Sequence, residues 1–146
     1  MSTEENKARQ RRLIEEFINR GDMAVAEALI AEDHVGLDSA PGQEHGREGL
    51  KANAARMRAA FPDLEWTIEE QVAEGDTVAC YFVWRGTHQG AFLGVAPTGK
   101  RVAVRCMAFD HFVAGQCKAT RMLMDIMSLM QQLGAVPSPA QTNPSR

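Results

Sequence analysis

The chain has 146 residues, 45% hydrophobic and 24% charged, which suits one domain with its own core. Sixteen Lys and Arg against 19 Asp and Glu leave a net charge of −3, which argues against a nucleic-acid coat or a polybasic membrane binder. No apolar run approaches the roughly 20 residues that span a bilayer. The start Met1-Ser2-Thr3-Glu4-Glu5 has the character of neither a signal nor a transit peptide, so a soluble cytoplasmic protein without a nucleic-acid or membrane partner is expected.

The first periodic segment is helical: Leu13, Ile14, Phe17 and Ile18 form one stripe. Gly21 ends it, and Asp22 is placed to cap a short second helix over 23–31. The polar stretch 33–44, with Gly36, Pro41 and Gly42, predicts a short strand and then a loop. Leu50, Ala54, Met57 and Phe61 recur at helical spacing and predict a third helix over 47–60, stopped by Pro62. The period then changes to two. Leu64, Trp66 and Ile68 alternate with Glu65, Thr67 and Glu69, as in a half-buried strand. Gly75-Asp76 marks a turn, and 77–85 is rich in β-formers. Residues 86–100 hold four glycines and Pro97 and predict a loop or irregular hairpin. Residues 101–113 predict a further strand, Ala114-Gly115 a tight turn, and 117–125 a last strand; 126–133 either extends it or forms a short helix. The tail 137–146, PSPAQTNPSR, cannot bury anything and is expected to be flexible.

Three helices followed by antiparallel strands predict an α+β fold, with the helices on one face of a curved sheet. Residues 1–136 make up one such domain. Cys80, Cys106 and Cys117 are odd in number and show no CxxC spacing, which reads as small buried thiols in a reduced compartment. His34, His45, His88 and His111 show no HxH, HxxxH or HExxH spacing. No GxGxxG or Walker loop occurs either. Neither a preformed zinc site nor a bound nucleotide is expected.

Several stretches, in order, resemble the SnoaL-like polyketide cyclase family of the nuclear-transport-factor-2-like superfamily. They are Gly46-Arg47-Glu48-Gly49-Leu50, Phe61-Pro62-Asp63-Leu64, and Ala73-Glu74-Gly75-Asp76-Thr77-Val78-Ala79. Gly86-Thr87-His88-Gln89-Gly90, Pro97-Thr98-Gly99-Lys100, and Asp125 followed by Gln132-Leu133-Gly134 complete the set. The resemblance spans about residues 8–135. It implies a conical α+β barrel with a deep, mostly apolar pocket, a homodimer or higher homo-oligomer, and cofactor-free aldol ring closure on a polyketide. It also implies an acid/base at Asp125 and, as in some cyclases, a histidine fourteen residues earlier, at His111. The chain departs from the family pattern at Arg121, where most members carry tryptophan, and at Leu37, where a histidine is usual; His34 lies close to the latter.

Aldol closure removes a proton beside one carbonyl and delivers a proton to another. One carboxyl group can do both if its pKa lies near 7, which burial favours. Asp125 sits in Met122-Leu123-Met124-Asp125-Ile126-Met127, the most apolar surroundings of any acid in the chain. The bland alternative is an aspartate that turns outward or caps the terminal helix. If Asp125 points inward, alternation sends Leu123 and Arg121 inward and Met122 and Met124 outward. His111 would share a face with Phe109, Met107 and Arg105, with Asp110 facing away, and would partner Asp125 unless it lies outward near the turn. His88 either lines the pocket mouth or fixes its loop. Arg121 either meets Asp125 or the substrate, or faces solvent. Trp66, Phe82, Trp84 and Phe109, with Phe17 and Phe61 opposite, are spaced to wall a site for a flat hydrophobic ligand or to fill an ordinary core. Five of the eight methionines fall between Met107 and Met130, and those facing outward suit a dimer interface. The expected function is therefore cofactor-independent cyclisation. Epoxide-opening cyclisation and a non-catalytic binding role on the same fold are the alternatives.

Overall fold

The computed structural model describes residues 2–38 and 45–137. The expected loop at Pro41-Gly42 and the tail beyond 137 lie outside the described residues. Helix α1 spans Thr3–Arg12 and continues as a π-helical segment, Leu13–Ile18. Ser2 and Glu5 close its start with reciprocal side-chain bonds to each other's backbone N–H. Helix α2 (Met23–Leu29) is capped by Asp22, whose carboxylate accepts from the Ala24 N–H at 3.0 Å, as the sequence predicts. Strand β1 (Ile30–Gly36) and helix α3 (Gly46–Ala60) follow. Gly46 is obligatory at the start of α3: its φ is +78°, and a Cβ there would lie 2.6 Å from the Glu32 carbonyl oxygen.

Strands β2 (Glu65–Glu74), β3 (Thr77–Thr87), β4 (Arg101–Val113) and β5 (Gln116–Met124) form antiparallel neighbours. Ala114 (φ +51°) and Gly115 (φ +81°) make the two-residue turn between β4 and β5. The short alternative for 126–133 is the one realised, as helix α4 (Ile126–Leu133). The sheet order is β1-β5-β4-β3-β2, giving a curved, unclosed α+β architecture. One expectation is corrected: the sheet is mixed, because β1 runs parallel to β5. That pairing joins segments about 85 residues apart, and no local pattern announces it.

Residues of β4 alternate between the two faces of the sheet. On β4 the buried set is Val102, Val104, Cys106, Ala108 and Phe112, while Arg101, Ala103, Arg105, Met107, Phe109 and Val113 are exposed. The inward face carries two apolar clusters. One gathers Ile14, Phe61, Trp66, Phe82, Trp84, Val104, Cys106 and Leu129; the other gathers Leu13, Phe17, Val25, Leu29, Ile30, Val78, Phe112 and Cys117. Helices α1, α2 and α3 cover this face, and α4 packs on β4.

Candidate active site

Strand register decides what the inside of the fold presents. Cys106 pairs with Met124, Ala108 with Met122, and Asp110 with Thr120. The inward residues of β5 are therefore Met122 and Met124, which pack against the first apolar cluster. Leu123 and Arg121 point the other way; Leu123 is 74% exposed and Arg121 pairs with Asp38 at 3.1 Å on the outer surface. The inward placement of Leu123 is corrected by this register, and of the two alternatives for Arg121 the solvent-facing one is realised. An unpaired guanidinium inside would be costly, and here it stays in water.

Asp125 follows β5 as the N-cap of α4, where one carboxylate oxygen accepts from the Ser128 N–H at 3.1 Å. The other oxygen accepts from Arg105 Nη2 at 2.9 Å. The Arg105 bond first, then the backbone bond, hold this carboxyl below its ordinary value. This is the opposite of the raised value that burial would have produced. His111 lies on the outer face of β4, its Nδ1 3.0 Å from the Thr77 hydroxyl. The Asp125 N–H binds the Arg105 carbonyl, six positions from His111, so the two residues sit roughly 20 Å apart at about 3.3 Å per strand residue. The expected Asp125–His111 partnership is not formed.

Five of the six aromatic residues named from the sequence are buried. Trp66 stacks on Phe82 with centroids 4.5 Å apart, and Phe61 meets Trp84 edge-on at 4.9 Å. Phe17 is buried in the other apolar cluster. Phe109 is the exception: it is 49% exposed on the outer face, because it has the parity of Arg105 and His111. His88 is fully buried and fixes its loop. The Thr98 N–H donates to His88 Nδ1 at 3.1 Å, which places the ring proton on Nε2. That N–H and the Trp66 indole N–H have no hydrogen-bond partner among the described residues.

A carboxylate missed by the sequence reading faces inward. Asp110 shares the parity of Ala108 and Phe112 and is half-buried. Its Oδ2 accepts from Gln10 Nε2 at 2.8 Å, and its Oδ1 from the Thr120 hydroxyl at 2.6 Å. His34 Nε2 lies 2.9 Å from the same Thr120 oxygen. Burial lowers the His34 pKa, opposed by the Asp110 charge. The signal for this cluster was present in β4: the arginine-bearing parity is the wet one, so the other parity, with Asp110, is the dry one. Burial pushes the Cys80 and Cys106 thiols up to about 12 and raises Cys117 well above its ordinary value, so none is an activated nucleophile.

Two surface concavities lie elsewhere. One of about 530 Å³ runs between α1 and Gln71; another of about 750 Å³ is bounded by Asp33, Arg47, Val113 and Lys118. Both are lined by solvated charged pairs rather than by the apolar interior. Among the described residues no cluster of His, Cys, Asp and Glu could hold a metal ion, and no helix is long and apolar enough to cross a membrane.

The same arrangement of helices on a curved sheet occurs in solved structures. TsrD from Streptomyces laurentii aligns with TM-score 0.86 and 24% identity over 93% of this chain and 99% of its own, a likeness of fold. AclR, a candidate hydroxylase from Streptomyces galilaeus, aligns at 0.81 with 28% identity over 94% of this chain and 85% of its own. IdmH, a candidate polyketide cyclase from Streptomyces antibioticus, aligns at 0.77 with 30% identity over 88% of this chain and 98% of its own. No match to a curated protein is found. The family model for SnoaL-like polyketide cyclase matches residues 8–133, from within α1 to the end of α4. With nearly every element of the fold inside that match, the chain belongs to the SnoaL-like polyketide cyclase family.

Proposed function

We propose that the protein binds an apolar, carbonyl-bearing intermediate of the polyketide kind against the inward face of its sheet and closes a ring in it. It would do so without a cofactor, by general acid/base catalysis. The observation that carries this reading is the inward face of β5. Thr120, Met122 and Met124 point to the inside of the fold yet are only half-buried, as the wall of a ligand site is and a closed core is not. The Met122 and Met124 side chains supply an adaptable apolar surface. The unpartnered Trp66 indole N–H favours a ligand that carries an oxygen acceptor.

Occupancy has a direct readout. The chain has two tryptophans, Trp66 and Trp84, and both belong to the inward cluster. Titration with 1-tetralone, an apolar bicyclic ketone, is expected to quench their fluorescence saturably. Quenching that rises linearly with concentration and never saturates would overturn the reading. Asp125→Asn tests the acid/base role that the family resemblance implies. A fall of about 100-fold in ring closure of a linear polyketide ester supports that role, and turnover within about threefold rejects it. Epoxide-opening cyclisation places the same demand on an acid/base, and turnover of an epoxide but not of the keto ester would select it. Saturable binding without turnover of either would select a binding role.

We also infer that two copies pair through the outer sheet face. Met107 (63% exposed), Leu123 (74%) and Phe109 (49%) form an apolar patch there. Glu70 on β2 flanks it on one side, beyond Tyr81 of β3, and Arg121 on β5 on the other. A two-fold axis through the patch sets each acidic flank against the partner copy's basic one.

A further inference from the structure

Asp110 is the one acid at an inward position of strands β2 to β5 among the described residues. Its setting is built by four elements. Gln10 of α1, itself buried, is held by Gln71 of β2, whose Nε2 donates to Gln10 Oε1 at 2.8 Å. That bond fixes the amide, so its Nε2 end faces Asp110 Oδ2. An ionised carboxylate can only accept, so the Thr120 hydroxyl spends its hydrogen on Asp110 Oδ1. The Thr120 oxygen is then left to accept from His34 Nε2–H of β1. The chain His34 → Thr120 → Asp110 runs in one direction and ends on the carboxylate. The Cys117 thiol, 3.6 Å from Oδ1, adds a weak donor.

We infer that Asp110 is the acid/base of the site, and that Thr120, backed by His34, is its positioning residue. This rests on the ligand reading above. In the step, Asp110 takes the proton from a carbon next to a ligand carbonyl. The C–H electron pair becomes the C=C bond of an enolate, and the carbonyl π pair moves onto its oxygen. The enolate carbon then bonds to a second carbonyl carbon as the enolate oxygen recovers its C=O. The π pair of the second carbonyl moves onto its oxygen, which takes the proton back from Asp110. Atoms and electrons balance as an isomerisation, and no oxidant or reductant is required. The two fixed donors hold the carboxylate in one orientation before the reaction, so no reorganisation is needed during it.

The first half of this step can be read without the natural substrate. Exchange of the α-protons of 1-tetralone in D₂O, followed by proton NMR, is expected to run roughly 100-fold faster with the wild type than in buffer. Asp110→Asn should fall to the buffer rate while still showing saturable tryptophan quenching by 1-tetralone. Thr120→Val should lower the maximal exchange rate about tenfold, and Thr120→Ser, which keeps the hydroxyl, should restore it. Exchange at the wild-type rate in Asp110→Asn overturns the inference. So does exchange that is lost in Asp125→Asn but kept in Asp110→Asn, or a Thr120→Ser variant as slow as Thr120→Val. Quenching by 1-tetralone without exchange in the wild type overturns this assignment alone. Absence of quenching overturns the ligand reading and the assignment with it.

Discussion

His34 contributes a pH dependence of stability whose sign follows from its burial. Its folded pKa lies below the ordinary 6.5 because burial disfavours the charged ring. As pH falls through 6.5 the unfolded chain takes up a proton that the folded chain refuses, so stability is full above about pH 7 and declines below. Urea unfolding between pH 7.5 and 5.5 should show this decline, and His34→Gln should flatten it. An equal slope in the variant would remove His34 as the cause. Asp125 acts at the same scale as a cap. Asp125→Ala is expected to lower the thermal midpoint more than Asp125→Asn, because asparagine also accepts from the Ser128 N–H. Equal midpoints would deny the cap its part. The residue-level surprise lies here too. An acid among methionines reads as buried, but the chain end of β5 bends into α4 and leaves the carboxylate in water beside Arg105.

Among the elements, the free edge of β2 has a substitute neighbour. Asn19, just after the π-helical segment, donates to the Trp66 carbonyl at 2.8 Å and accepts from the Trp66 N–H at 2.7 Å. One side-chain amide thus makes the pair of bonds that another strand would make, and it ties the first helix to the strand carrying Trp66. Asn19→Ala leaves both backbone groups short of a partner in a half-buried place and is expected to cost about 2 kcal/mol. Chemical denaturation measures it, and a loss below about 0.5 kcal/mol would show that water replaces the amide. The lesson of β4 belongs to this scale. Alternation was legible over 101–113, but alternation alone does not say which parity is inside. With Asp125 as the marker of the inner face, alternation places Arg121, Leu123, Phe109 and His111 inward, opposite to their observed side. Arg101 and Arg105 on one parity, against Val102, Val104 and Cys106 on the other, carried the contrary and correct assignment, because small apolar residues bury without penalty and guanidinium groups do not.

For the molecule as a whole, the outer face makes the sharpest prediction. Light scattering coupled to size exclusion should report a dimer at micromolar concentration, and Leu123→Glu with Met107→Glu should report a monomer of unchanged secondary structure. A monomeric wild type would overturn the pairing. The α+β class and the two-residue β4–β5 turn followed from sequence periods, glycines and prolines, and the Asp22 cap from its place before α2, because these are set by neighbours within a few residues. The order and spacing of six short motifs also carry the resemblance to the family. The parallel pairing of β1 with β5 and the meeting of Gln10, His34 and Thr120 around Asp110 were decided only by the tertiary structure. Each brings together residues up to 100 positions apart, and no local pattern sets which distant segments pair.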